Sequence, residues 1–281
     1  MFTKSTSSRK YIDLIKEASS KWASWDPPNP IVAGDFGVVE RATGEFVRGG
    51  NIYTHPVVAA LAALHPPTAS AALDTHIVST FHARKRDLTL GVSVEIAGLA
   101  DAAVKAEFGF DSKRGALLVM HKPRTTRVPP EFLRAVTASS AATAALQGKA
   151  LVTEAFACPA FVLYLSNKAG ETLRLVLRDV MPIPHVPGLS AGPDIAAGWW
   201  TDGGTGVLQQ AYGAEYDFYP LFQLKTVRKP AVWDIRRNGE VLEDPDAFRW
   251  VDVETPWEDL DSDGEEIEDR PYESGSENDA F

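Results

Sequence analysis

The residues that could support covalent or metal chemistry are few, and their spacing does not suit it. Six histidines, His55, His65, His76, His82, His121 and His185, include no His-x-x-x-His pair, and only His76 and His82 fall near one another. At their spacing those two would share one face of a strand, a weak pattern beside the Cys/His sets that hold zinc. The single cysteine, Cys158, lies in Ala157-Cys-Pro-Ala within an apolar run and reads as a small core residue. No Gly-x-Ser-x-Gly elbow occurs, and no phosphate loop ends in Gly-Lys-Ser or Gly-Lys-Thr. Gly203-Gly-Thr-Gly is too short for a dinucleotide loop. Asp35-Phe36-Gly37 carries the letters of a kinase motif without the Gly-rich loop, strand lysine or His-Arg-Asp loop that give it meaning. The run Asp261-Ser-Asp-Gly-Glu-Glu lacks the ligand spacing of an EF-hand. The expectation is a non-enzymatic protein with no catalytic residue, cofactor or metal.

The chemistry that remains is that of charged and apolar surfaces. The net charge of −10 is unevenly spread: from Glu240 to Phe281 there are 17 acidic residues and two basic ones, Arg249 and Arg270, whereas Met1 to Gly239 holds 26 basic and 21 acidic residues. A mildly basic body therefore carries a strongly acidic tail. Such a tail can be a disordered solubilising segment, or it can compete with an anionic surface for the basic groups of the body. Candidate groups for meeting acidic lipid are Lys10, Tyr11, Ile15, Lys16 and Lys21 near the start, and the run Arg84, Lys85, Arg86. Lysines around an apolar stripe ending in Trp22 suit a membrane interface, although a surface helix docked on a core has the same pattern.

These groups need elements to position them. Arg9 to Ser24 reads as an amphipathic helix, with Tyr11, Leu14, Ile15, Ala18 and Trp22 on one side and Lys10, Asp13, Lys16, Glu17, Ser20 and Lys21 on the other. Ile31 to Tyr53 predicts a hairpin turning at Ala42-Thr-Gly, and Pro56 to Leu64 a short helix. The most informative stretch is Asp87 to Phe110. Leu88, Leu90, Val92, Val94 and Ile96 alternate with polar or small residues, and so do Val104, Ala106, Phe108 and Phe110, across the connection Gly98 to Ala103. The first arm has about the 9 to 11 residues of a membrane-crossing strand, yet a half-buried soluble hairpin would read the same way. Gly115-Ala-Leu-Leu-Val-Met predicts a strand, Pro129 to Leu146 a helix, and Val152 to Leu165 with Glu171 to Val180 a strand pair turning at Asn167-Lys-Ala-Gly. Leu221 to Val227 supplies a late strand. The Trp199-Trp200 pair reads as packing or as an interfacial anchor. No stretch approaches the ~20 apolar residues of a spanning helix. With one cysteine and no apolar leader after Met1-Phe-Thr-Lys, the expected compartment is the cytoplasm.

Several segments together resemble the fungal gasdermin-like proteins, the group that includes incompatibility and regulated-cell-death factors. They are Lys21-Trp-Ala-Ser-Trp-Asp-Pro-Pro, Val32-Ala-Gly-Asp-Phe-Gly, Thr43-Gly-Glu-Phe, Gly50-Asn-Ile-Tyr, Lys113-Arg-Gly-Ala-Leu-Leu-Val-Met-His-Lys-Pro and Tyr164-Leu-Ser-Asn-Lys. The resemblance runs from about Lys10 to Pro230 and loosens after Pro182. It implies an α+β fold, a twisted antiparallel sheet with surrounding helices like the gasdermin N-terminal domain, and a short acidic C-terminal tail. It also implies a basic first helix that meets acidic lipid, and two hairpins that enter the bilayer as copies assemble. The first hairpin would match Asp87 to Phe110; the second falls within Phe161 to Gln209. The expected organisation is a pore-forming domain at 1–239 and an autoinhibitory or disordered tail at 240–281. Expected partners are acidic membrane lipids, further copies of the chain, and an activating protease or an allelic partner protein, with no nucleic acid. Phe248, in Asp246-Ala-Phe-Arg-Trp, is the expected cleavage position, on the premise that its backbone is exposed. Two rival classes stay open from the residues alone: an enzyme whose site assembles only in three dimensions, and a soluble adaptor or nucleic-acid binder that uses the basic body.

Overall fold

The computed structural model describes residues 4–86, 102–178, 198–213, 215–228 and 248–267. In chain order the elements are helix α1 (Lys4–Ser19), strands β1 (Trp22–Ala23), β2 (Asp35–Val39) and β3 (Phe46–Asn51), helix α2 (Ala59–Ala63), and strands β4 (Thr68–Ala69), β5 (Thr75–Ser79), β6 (Ala83–Arg86), β7 (Ala102–Phe110), β8 (Ala116–His121) and β9 (Arg124–Arg127). Helices α3 (Pro130–Thr137) and α4 (Ser140–Leu146) follow, then strands β10 (Ala150–Cys158), β11 (Ala160–Leu165), β12 (Glu171–Arg178), β13 (Gly198–Asp202), β14 (Val207–Tyr212), β15 (Phe218–Arg228) and β16 (Arg249–Asp252). Every pairing among these strands is antiparallel, and the class is α+β.

Three sheets form. The largest has the order β1-β15-β10-β2-β3, with β16 on β15 and β9 and β4 on β10; the middle sheet is β14-β11-β8-β5; the third is β13-β12-β7-β6. The middle sheet is covered on both sides, which explains why β8 and β11 are continuous apolar runs in which every residue is buried. Leu118 and Met120 of β8, with Phe161, Leu163 and Leu165 of β11, face α1 and the largest sheet and form the first core. Leu117 and Val119, with Val162 and Tyr164, face the third sheet and form the second core. Helices α2, α3 and α4 cover the far side of the largest sheet in a third core around Phe36, Phe132, Val136 and Leu151.

Several expected elements shift. The first helix stops at Ser19 because Ser20 takes a positive φ of 57°, so Trp22 belongs to a strand and Lys21 to the connection before it. Pro159, which has no N–H for a ladder, divides the expected strand Val152 to Leu165 into β10 and β11, and the two join different sheets. Helical Pro129 to Leu146 is likewise two helices, the second capped by the Ser139 hydroxyl, which accepts from Ala142 N at 3.3 Å. The expected pairing of β11 with β12 does not occur: β11 pairs with β8 and β14, and β12 with β7 and β13. Cys158 is a core residue, and burial pushes its thiol up to about 12. Trp199 packs against the second core and donates its indole N–H to Ala211 O at 3.0 Å.

A buried carboxylate sits where the chain crosses between sheets after β11. Glu171 Oε2 accepts from the Tyr164 hydroxyl at 2.8 Å and Asn167 N at 3.0 Å, and its Oε1 accepts from Thr205 N at 3.1 Å and from the Thr205 hydroxyl. Tyr164 Oη in turn accepts from Gly206 N at 3.1 Å. Gly204 must be glycine here, since it has a φ of 80° and an added Cβ would lie 2.2 Å from that hydroxyl. Burial works against the Glu171 charge, but the four donors prevail and hold its pKa below 4.5. A depressed folded-state value means that the stabilisation is present above about 4.5 and is lost as pH falls through the lowered value. Glu171→Ala should cost about 3 kcal/mol in denaturant unfolding at neutral pH, because it orphans buried donors. Its melting temperature should also fall less steeply than the parent's on acidification below the ordinary carboxylate value.

Candidate membrane-binding surface and the segment that covers it

Helix α1 is a core helix in this form. Tyr11, Ile12 and Ile15 are completely buried and Leu14 is 3% exposed, all against the middle sheet, β1 and the largest sheet. Tyr11 lies 5.5 Å from the Trp25 ring, and burial raises its phenol pKa well above the usual value. Tyr11 and Ile15 therefore do not form a lipid-facing stripe here, contrary to the sequence expectation. An amphipathic stripe records only that one side of a helix avoids water, and in this fold the protein core covers that side.

The opposite side of α1 is covered as well, by residues 248–267. Strand β16 adds to the edge of β15, from Lys225↔Asp252 to Arg228↔Arg249, and Trp250 donates its indole N–H to Leu133 O at 2.8 Å. Trp257 then packs edge-on to Trp22 at 5.9 Å and donates to Asp13 Oδ1 at 3.0 Å. Trp257 and Leu260 are both buried in the first core, with Val253 packed against it. Beyond them Asp261 Oδ1 folds the chain back by accepting from Asp263 N at 2.8 Å and Glu265 N at 3.0 Å. That loop meets the basic side of the helix. Lys10 Nζ donates to Ser262 O at 2.6 Å, and Arg9 donates to Gly264 O at 2.9 Å and pairs with Glu266 at 3.0 Å. Arg41 reaches the same Glu266 at 2.6 Å, Lys113 pairs with Asp263 at 3.1 Å, and Arg114 donates to Leu260 O. Burial lowers the Lys10 pKa, with Asp263 opposing that shift, while burial raises that of Asp13.

Of the expected autoinhibitory or disordered tail at 240–281, residues 248–267 dock on the body, because their aromatic and aliphatic side chains have a core to enter. At the expected cleavage position, the Phe248 side chain is partly buried against the core around Phe132 and Val136, and the bond that follows it leads into the β15–β16 ladder; residues 240–247 lie outside the described residues. Sequence reading also missed Arg9, Arg41, Lys113 and Arg114 as partners of the acids. The Lys113-Arg114 pair was visible as charge, but nothing around Arg41 links it to Glu266.

The other expected site residues divide among different surroundings. Lys16 is half-buried over the Trp22 ring at 5.3 Å. Lys21 is paired with Glu154, a buried carboxylate that also takes Arg127 at 2.6 Å. Arg84, Lys85 and Arg86 are exposed on β6, the edge strand of the third sheet among the described residues. Successive side chains on a strand point to opposite faces, so Arg84 and Arg86 lie with Gly109 and Glu107, and Lys85 with Phe108. Val104, Ala106, Phe108 and Phe110 form one buried face with Leu173, Leu175 and Leu177 of β12. The other face carries Arg174, bonded to Glu107 at 2.8 Å and to Asp202 at 3.2 Å. Leu88, Leu90, Val92, Val94 and Ile96 lie outside the described residues. His76 stacks on Phe156 and His82 falls in the turn after β5, bonded to Asp111 at 2.8 Å, so the two do not share a strand. Among the described residues no group of His, Cys, Asp or Glu is placed to hold a metal ion, and no helix is long and apolar enough to cross a membrane.

Neither a protein-family model nor a curated protein matches the chain. The functional reading therefore rests on geometry and charge.

Packing and charge in the covering segment make separable contributions. Trp257→Ala removes a buried indole and should cost about 3 to 5 kcal/mol in denaturant unfolding, with faster hydrogen exchange in α1. Asp263→Asn removes a half-exposed ion pair and should cost only about 1 kcal/mol or less, with little change in that exchange. Equal loosening by the two kinds of variant would show that charge, not packing, holds the segment down.

Proposed function

We propose that this chain is a latent pore-forming protein of the gasdermin-like kind, in which residues 248–267 cover the basic side of α1 until they are displaced. The observation that carries the reading is the third sheet, which consists of two hairpins side by side. Among the described residues the strands of one hairpin end at Arg86 and Ala102 and those of the other at Arg178 and Gly198; Ala102, Arg178 and Gly198 are register neighbours, and Arg86 is the neighbour of Glu107. Residues that follow β6 in sequence continue a two-residue alternation through Leu88, Leu90, Val92, Val94 and Ile96. Extended arms with one apolar and one charged face are what a membrane barrel uses, apolar toward lipid and polar toward the lumen.

The physical logic explains the latency. An open sheet edge cannot enter hydrocarbon, because unpaired backbone groups cost several kcal/mol each, so several copies must close a barrel together. In the latent form the apolar face of β7 and β12 is already satisfied by the middle sheet. Displacing the covering segment would free Arg9, Lys10, Lys113 and Arg114 for acidic lipid, at about 1 kcal/mol each near an anionic leaflet. The partners are then acidic membrane lipid and further copies of the chain, with a protease or an allelic protein as the trigger. The latent form would reside in the cytoplasm and the active form in a cellular membrane. No cofactor enters this mechanism.

The test is dye release by the full-length chain carrying Trp257→Ala with Glu266→Lys, which opens the cover without removing it. This variant should permeabilise acidic liposomes, spare neutral ones, and exceed the parent by an order of magnitude or more. Adding Val92→Arg should abolish leakage while leaving vesicle binding, given a cost of about 2 to 4 kcal/mol for arginine at mid-bilayer. A folded, opened variant that binds acidic vesicles without leakage would remove pore formation from the reading.

A further inference from the structure

We propose that the latent chain carries a second, uncovered docking point for an anionic membrane surface: Phe81 at the tip of the β5–β6 turn, backed by Arg84, Lys85 and Arg86. This goes beyond the pore reading and needs neither displacement of residues 248–267 nor insertion of a strand. Phe81 is 84% exposed, more than any other large hydrophobic side chain described. It is also firmly presented. Neighbouring Thr80 is buried, donates its N–H to Ala116 O at 3.1 Å, accepts from Ala116 N through its hydroxyl at 3.1 Å, and accepts from Ala83 N at 2.9 Å. The turn is therefore tied to β8 on one side of Phe81 and to β6 on the other. The ring's recorded aromatic neighbour is His82, edge-on at 5.6 Å.

The charges around this ring favour a lipid surface as the occupant. Arg84, Lys85 and Arg86 are exposed within five residues of it on β6, an edge strand among the described residues. Three acids lie nearby: Glu107, the cross-strand neighbour of Arg86, is bonded to Arg174 at 2.8 Å, and two others flank the turn. Asp111 bonds His82 at 2.8 Å and meets Arg84 at 3.7 Å, and Glu17 faces Arg114 at 3.6 Å. Among the described residues, none of the hydrogen bonds or ion pairs made by 248–267 falls on residues 81–86. A single ring beside a short cationic strand is far smaller than the roughly 800 Å² per partner of a stable protein interface. It fits the headgroup layer, where an aromatic ring reaches the acyl boundary and cations meet phosphate.

Cys158 is fully buried, so full-length Phe81→Cys can be labelled at position 81 alone with an environment-sensitive fluorophore. On vesicles of phosphatidylserine and phosphatidylcholine the label should brighten and be quenched by spin-labelled acyl chains. In co-sedimentation, Phe81→Ser should weaken partitioning of the unlabelled full-length protein by on the order of ten-fold. Arg84→Gln with Lys85→Gln should weaken it by about five-fold per charge. An unchanged melting temperature is expected for both, since these side chains are exposed. The inference is overturned if the folded parent does not partition onto acidic vesicles, if Phe81→Ser partitions like the parent, or if the bound label stays unquenched. It is also overturned if neutral vesicles, or nucleic acid in a parallel titration, bind with equal strength. None of these results bears on leakage by the opened variant, so the pore reading stands or falls separately.

Discussion

The middle sheet is buried on both faces, and the rest of the molecule is arranged by that constraint. Strands β8 and β11 present apolar side chains to both sides, so neither face can be left to water. Full burial of each such side chain is worth roughly 1.5 to 3 kcal/mol, far more than any single ion pair on the surface. One face takes α1 and the largest sheet, and the other takes the two hairpins. A change that lifts the hairpins away must supply another apolar partner for what it exposes.

The covering segment follows the same rule at smaller scale. Its acidic residues suggest an electrostatic lid, but Trp257 and Leu260 are the parts that enter the core, while Glu266 and Asp263 meet cations at its margin. Packing gives the segment its adhesion and charge gives it its address, because only the cationic side of α1 offers Arg9 and Lys10 to the returning loop. The long-range field adds a further bias that salt would screen over about 8 Å at physiological strength.

The third sheet differs in being polar on one face. Glu107, Arg174 and Asp202 cross-link β7, β12 and β13 on the side away from the core, so charge helps to hold the register of the sheet. Glu171 ties the base of β12 to the turn after β13 through Thr205. The hairpin base and the hairpin arms are thus stabilised by different physics, the first by a satisfied buried carboxylate and the second by burial.

Periodicity and composition alone determined much of this protein. The alternation Val104, Ala106, Phe108, Phe110 specified a strand with one buried face, and continuous runs such as Ala116–Met120 specified strands that need cover on both sides, because each pattern follows from the two-residue repeat of the strand itself. The hairpin at Asp35–Asn51 and the strand ending at Arg228 were legible for the same reason, as was the core role of Cys158. Tertiary structure alone decided which apolar faces meet. It placed Tyr11 and Ile15 in the core and not at an interface, set β11 beside β8 and not β12, and brought Arg41 to Glu266 across most of the chain. Charge counts showed an acidic end but could not show that Trp257 docks against Trp22, since that contact depends on two segments far apart in sequence sharing one cavity. Local periodicity records what a segment avoids, whereas long-range packing decides what it meets.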